Sequence, residues 1–157
     1  MLVWFVTTAV GAVMYVFRDP RFDYRLLVVG SVLPLLDGLA GGARILHTLV
    51  FSVALLVALM LATRGRAIRS TLLGLPIGTF LHLVFDGAWT DTQVFWWPFA
   101  GTSFGGAELF EVGRGWWSIV LEAFGVIAAW RLWRRCGLGG AQRRRAFVAY
   151  GRLVPAR

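Results

Sequence analysis

Five apolar segments, parted by short stretches that carry the charge, make up most of this chain and limit what it can fold into. They run Met1 to Phe17, about Arg25 to Ala40, Ile45 to Thr63, Thr71 to Trp89 and Trp116 to Trp133. Of the 157 residues 58% are hydrophobic, among them 8 Trp and 12 Phe. A soluble domain of this length keeps too high a surface-to-volume ratio to hide so much apolar surface. The fold class expected is therefore all-α, a polytopic transmembrane helix bundle of about five spans. A span needs roughly 20 residues to cross a ~30 Å hydrocarbon core. The second segment is short and contains Pro34 and Asp37, which predicts a kinked or re-entrant helix.

The arginines set the expected orientation. All 16 basic residues are arginine, and the net charge is +8. Arg18, Arg21 and Arg25 fall between segments one and two. Arg64, Arg66 and Arg69 fall between three and four, and Arg131, Arg134, Arg135, Arg143, Arg144 and Arg145 lie at or beyond the end of segment five. The other loops carry little more than Arg44 and Arg114. The positive-inside rule puts the rich groups in the cytoplasm. The expectation is a multi-pass plasma-membrane protein with its N-terminus outside and its C-terminus inside. One transmembrane bundle would cover residues 1–136, and a basic cytoplasmic tail residues 137–157. That tail reads as solvated, or as a helix lying on anionic lipid headgroups. It is short and lacks a recognisable module, so nucleic acid is not an expected partner. The apolar start has no basic region and no small-residue cleavage site, and reads as a retained helix. A lone cysteine, Cys136, excludes a disulfide framework or a zinc–thiolate site within one chain.

The only two histidines, His47 and His82, sit inside these apolar segments. His82 and Asp86 are four apart, so on a helix they share one face, with Cβ atoms ~5–6 Å apart. The same face carries Gly78 and Gly74, a small-xxx-small spacing that lets helix backbones approach closely, and continues to Thr90. Asp37 and His47 are expected at the same depth, at the outer mouth of the bundle. An ionised aspartate there costs roughly 2.5–3.5 kcal/mol near a helix centre, less toward its ends. Mutual pairing would offset that cost. So would a divalent cation held by two imidazoles and two carboxylates, a donor set that suits zinc first and also manganese or iron. The bland readings stand beside these. A histidine can bond a backbone carbonyl, Asp37 can serve a turn, Arg44 can pair with Asp37, and Thr48 and Thr79 can be intrahelical hydroxyls.

Residues 90–115 form a loop rich in aromatics and glycine. Phe95, Trp96, Trp97, Pro98 and Phe99 suit a headgroup interface, or a lid over the polar site. Asp91, Glu108 and Glu111 read as solvated surface, with a ligand or general-base role as the sharper reading.

The segments LPLLD (Leu33 to Asp37), RILHT (Arg44 to Thr48), HLVFD (His82 to Asp86) and FWWPF (Phe95 to Phe99) resemble the membrane-bound, metal-dependent hydrolases of the LexA-regulated, YdjM-like group. That family carries Leu-Pro-Asp-x-Asp, then His-Arg-Gly-x-Thr-His-Ser, then His-x-x-x-Asp trailing into a Trp-Pro stretch. Order and spacing agree over Gly30 to Phe99. The resemblance transfers to Asp37, His47, His82 and Asp86. Leu35 stands where the pattern has its first Asp, and Gly42 where it has its first His. No histidine occurs near the N-terminus, where some members carry one. Fewer ligands leave room for one metal rather than two, or for none.

The leading expectation is a membrane-embedded metal-dependent hydrolase acting on a lipid-type or phosphoester substrate at the outer face, with membrane lipids as partners. Its metal ligands would be His47, His82, Asp86 and Asp37. Alternatively Asp37 would act as base or orient His47, and Arg44 would hold an anionic group. The second expectation is a non-enzymatic protein whose His/Asp cluster is a structural network or metal staple. A proton relay or transporter ranks last, because no polar path continues past the cluster.

Overall fold

A computed structural model describes residues 1–17, 22–104 and 109–155, except the side chains of Phe110 and Glu111. Every regular element among them is helical. The order is α1 (Leu2–Val16), α2 (Tyr24–Val32), a 3-10 helix (Leu33–Ala40), a 3-10 turn (Ile45–His47), α3 (Leu49–Ala62), α4 (Arg69–Leu72) and α5 (Gly74–Asp86). A 3-10 turn (Ala88–Thr90), α6 (Thr92–Phe95), α7 (Phe110–Gly113), α8 (Trp116–Arg135) and α9 (Ala141–Tyr150) follow.

The helical part of the expectation stands, and the membrane-spanning part does not. Among the described residues no helix is long and apolar enough to cross a membrane. The first four apolar runs are longer than the helices inside them. At 1.5 Å per residue, the 15 residues of α1, 14 of α3 and 13 of α5 reach only about 20–23 Å. Helix α8 has 20 residues but carries Glu122, Arg131, Arg134 and Arg135. The five-span polytopic bundle is thereby overturned. The multi-pass plasma-membrane location, with the N-terminus outside and the C-terminus cytoplasmic, falls with it. Arg18, Arg21 and Glu108 lie outside the described residues, as does the Glu111 side chain.

Local chemistry explains where the runs are cut. Asp23 caps α2, its side chain accepting from Arg25 N. Pro34, with no N–H to give, ends that α-helix, and the chain tightens into the 3-10 segment. Thr48 is extended, and its hydroxyl accepts from Phe51 N at 3.0 Å, starting α3 only there. Gly87 takes φ +67°, a left-handed conformation that closes α5 directly after Asp86.

Helices α2 and α5 form the tightest pair, meeting through glycines. A Cβ on Gly78 would lie 2.7 Å from Ser31 N, and one on Gly74 2.9 Å from Leu27 N. The small-residue spacing thus lets the two backbones touch. Helix α1 lies across this pair and packs on α8. The Glu122 carboxylate of α8 accepts from Val3 N and Trp4 N, both at 3.0 Å, and so caps α1 from outside.

Ala9, Val10 and Val13 of α1 join Tyr24, Leu27, Cys136 and Leu153 in one core cluster. The basic C-terminal stretch is therefore anchored. The Arg25 guanidinium donates to the carbonyls of Val148 and Ala149 at 3.1 Å, and Tyr24 N donates to Gly151 O at 2.9 Å. Elsewhere many apolar side chains stay exposed, including Ile119, Phe124 and Trp130 on α8.

Candidate metal centre

His82 lies on the face of α5 that the glycines press against α2. That contact brings the ring under the last turn of α2, where Nδ1–H donates to Ser31 O at 2.7 Å. On the neutral ring the lone pair is then on Nε2. This nitrogen is buried and, among the described residues, has no hydrogen-bond partner. Burial, as the largest cause, pushes the His82 pKa down from 6.5 to about 3; the Ser31 carbonyl opposes that shift, and the charge of neighbouring His47 and Arg114 adds to it. His82 is therefore neutral at physiological pH, the form that ligates a metal. Phe5 of α1 covers it, with ring centroids 4.0 Å apart.

His47 arrives differently from its expected place in the first turn of an α-helix. It sits in the 3-10 turn before Thr48. Asp37, at the turn-rich end of the preceding 3-10 helix, organises this corner. Its Oδ2 accepts from Arg44 N at 2.8 Å, from His47 N at 3.2 Å and from His47 Nδ1–H at 3.0 Å. The proton is held on Nδ1, and Nε2 is turned to Asp86, 3.7 Å from its Oδ2. The two imidazoles meet edge to face, with centroids 5.4 Å apart.

His47, His82 and Asp86 thus form a group that can hold a metal ion. One ligand atom from each lies within 4.8 Å of the others. Their exposures are 1%, 1% and 2%. Tetrahedral ligands at ~2.0–2.2 Å bonds sit about 3.5 Å apart, so the trio is slightly open. The orphaned Nε2 of His82 is the observation that fits a cation best, since leaving a buried acceptor unsatisfied costs about 1–3 kcal/mol. Asp37 stands behind His47, on the far ring nitrogen, and is not one of the grouped ligands.

The side chain of Arg44 is exposed, and among the described residues it makes no ion pair. Thr48 and Thr79 bond backbone carbonyls of their own turns. Asp91 caps α6, accepting from Gln93 N and Val94 N. Thr90 falls beyond the end of α5 and is exposed.

Two participants were not legible in the sequence. Ser31 contributes only a carbonyl, which any residue type carries. Arg114, in the turn before α8, donates from Nη2 to Asp86 Oδ1 at 2.8 Å and also contacts Asp86 O. Its only sequence signal was that it is the lone basic residue of the 90–115 loop. Beside it a recess of about 450 Å³ opens, lined by Asp86 and Arg114 together with Trp4, Phe85, Trp89 and Leu121.

No family model matches the chain, and neither curated proteins nor solved structures give a match.

Proposed function

We propose that this protein is a metal-dependent hydrolase of an ester or phosphoester, with zinc the best-suited ion and His47, His82 and Asp86 its ligands. One observation carries the reading. Both imidazoles have their Nδ1 protons tied down, by Asp37 and by Ser31 O, which leaves His47 Nε2 facing Asp86 Oδ2 at 3.7 Å and His82 Nε2 buried without a hydrogen-bond partner among the described residues. Two imidazoles and one carboxylate form the three-ligand donor set of catalytic zinc sites, which keep a position for water. A divalent ion bound there supplies Lewis acidity to a water and to the scissile oxygen. Asp37 is a positioning residue that orients His47 and fixes its tautomer. The resemblance to the YdjM-like hydrolases supports the same four positions.

The test is metal analysis of the purified protein beside a His82→Ala, Asp86→Ala double variant, followed by assay on aryl phosphate and carboxylate esters. Metal in the wild type, its loss in the variant and a chelator-sensitive turnover are expected. Equal metal content in both proteins would sink the ligand assignment.

A structural staple is the second reading. It is favoured by the near-complete burial of the trio and by Arg114 already balancing Asp86. In that case chelation lowers the melting temperature while no ester on the panel is hydrolysed.

A further inference from the structure

The recess and the arginine in its lining point to a substrate class. We propose that Arg114 is the anion-binding side chain of this site. It holds Asp86 and takes the oxyanion of an organic phosphoester whose apolar substituent lies in the recess. The proposal rests on the hydrolase reading for its role in turnover, but not for binding.

The argument starts from position. Arg114 borders the recess on one side and touches the buried Asp86 on the other. Its side chain is 26% exposed against 2% for Asp86. It is thus the boundary between a cavity and a closed polar centre. The cavity walls are mainly apolar and aromatic, through Trp4, Phe85, Trp89, Leu109 and Leu121. A pocket so lined takes a hydrophobic group and fixes it by a few polar contacts. Besides Thr90 and the Asp86 carboxylate, the polar lining offers one cation, the Arg114 guanidinium, whose planar fork matches phosphate oxygens two at a time.

Arg114 lies between Gly113 and Gly115, and a Cβ built on either would meet nothing within 4 Å. Gly115 has φ +56°, so the turn uses a conformation that side chains disfavour. A carboxylate that turns to a cation no longer needs the arginine, and the arginine then faces the recess with its charge unspent. Ion and anion each favour the state that the other requires.

The experiment is calorimetric titration of phenylphosphonate into the full-length protein, both zinc-loaded and chelator-treated. Benzyl alcohol serves as the neutral comparison. Phenylphosphonate should bind at least about tenfold more tightly than benzyl alcohol, and zinc should tighten it further. Arg114→Lys keeps the charge but loses the fork, and should weaken phosphonate binding about tenfold with benzyl alcohol unaffected. Arg114→Ala should weaken it more, and its thermal melt shows whether the fold survives. Phosphonate affinity unchanged in Arg114→Lys, or equal affinity for the neutral probe, overturns the proposal. Absence of bound metal overturns the hydrolase reading instead, because the chelator-treated protein still reports on Arg114.

Discussion

His47 Nδ1 and Asp37 Oδ2 lie 3.0 Å apart, and the same oxygen accepts the backbone N–H groups of Arg44 and His47. One carboxylate oxygen therefore folds the turn and sets the imidazole that the turn carries. Asp37→Asn removes the charge but keeps the shape. Zinc should still bind, at an affinity lower by about 10–100-fold, as for other groups that orient a ligand from behind. Competition with a chromophoric chelator measures it, and an affinity equal to the wild type would show that Asp37 serves only the turn.

Acid should unfold the metal-free protein through His82. The folded-state pKa of about 3 lies below the ordinary 6.5, so below pH about 6.5 the unfolded chain binds a proton that the folded chain refuses. Stability from this group is complete above pH about 6.5 and declines as pH falls from there toward about 3. Denaturant melts over that range should show the slope, and His82→Gln should flatten it. A wild type and variant with parallel pH profiles would remove His82 as the cause.

The α2–α5 contact should tolerate no side chain at Gly78. A Cβ there meets backbone at Ser31 N, 2.7 Å away, and backbone cannot swing aside. Gly78→Ala should cost about 1–3 kcal/mol by overpacking. It should also loosen zinc binding, because Ser31 O would be pushed off His82. Gly11→Ala is the control. Nothing lies within 4 Å of its Cβ position inside α1, so helix propensity alone should stabilise it by about 0.5–1 kcal/mol. Chemical denaturation of the two variants separates space from propensity.

Glu122 should matter for stability out of proportion to its place on a half-exposed helix. It accepts from two free N–H groups at the start of α1. Glu122→Ala should cost about 1–2 kcal/mol, as loss of a helix cap does, and Glu122→Gln should recover part of it. A melting temperature unchanged by both would mean that water replaces the carboxylate without loss.

The sequence by itself determined the helical class, the glycine face of α5 and the residues with the chemistry to meet. Helical spacing puts His82, Asp86, Gly78 and Gly74 on one face whatever surrounds them, because the period is a property of the backbone. Segment length was misread for the same kind of reason. Hydropathy averages over Pro34, Thr48 and Gly87 as if the chain ran through them, whereas each ends or starts a helix: Pro34 by its missing N–H, Thr48 by its capping hydroxyl and Gly87 by its left-handed backbone. The first four runs that read as spans became helices of 9 to 15 residues. Only the tertiary structure decided which polar groups answer one another. It set Asp37 behind His47, Ser31 O behind His82 and Arg114 against Asp86. These pairings join positions 10 to 51 residues apart. They depend on the approach of α2 to α5 and on the turn that returns the chain before α8, and no local spacing encodes either.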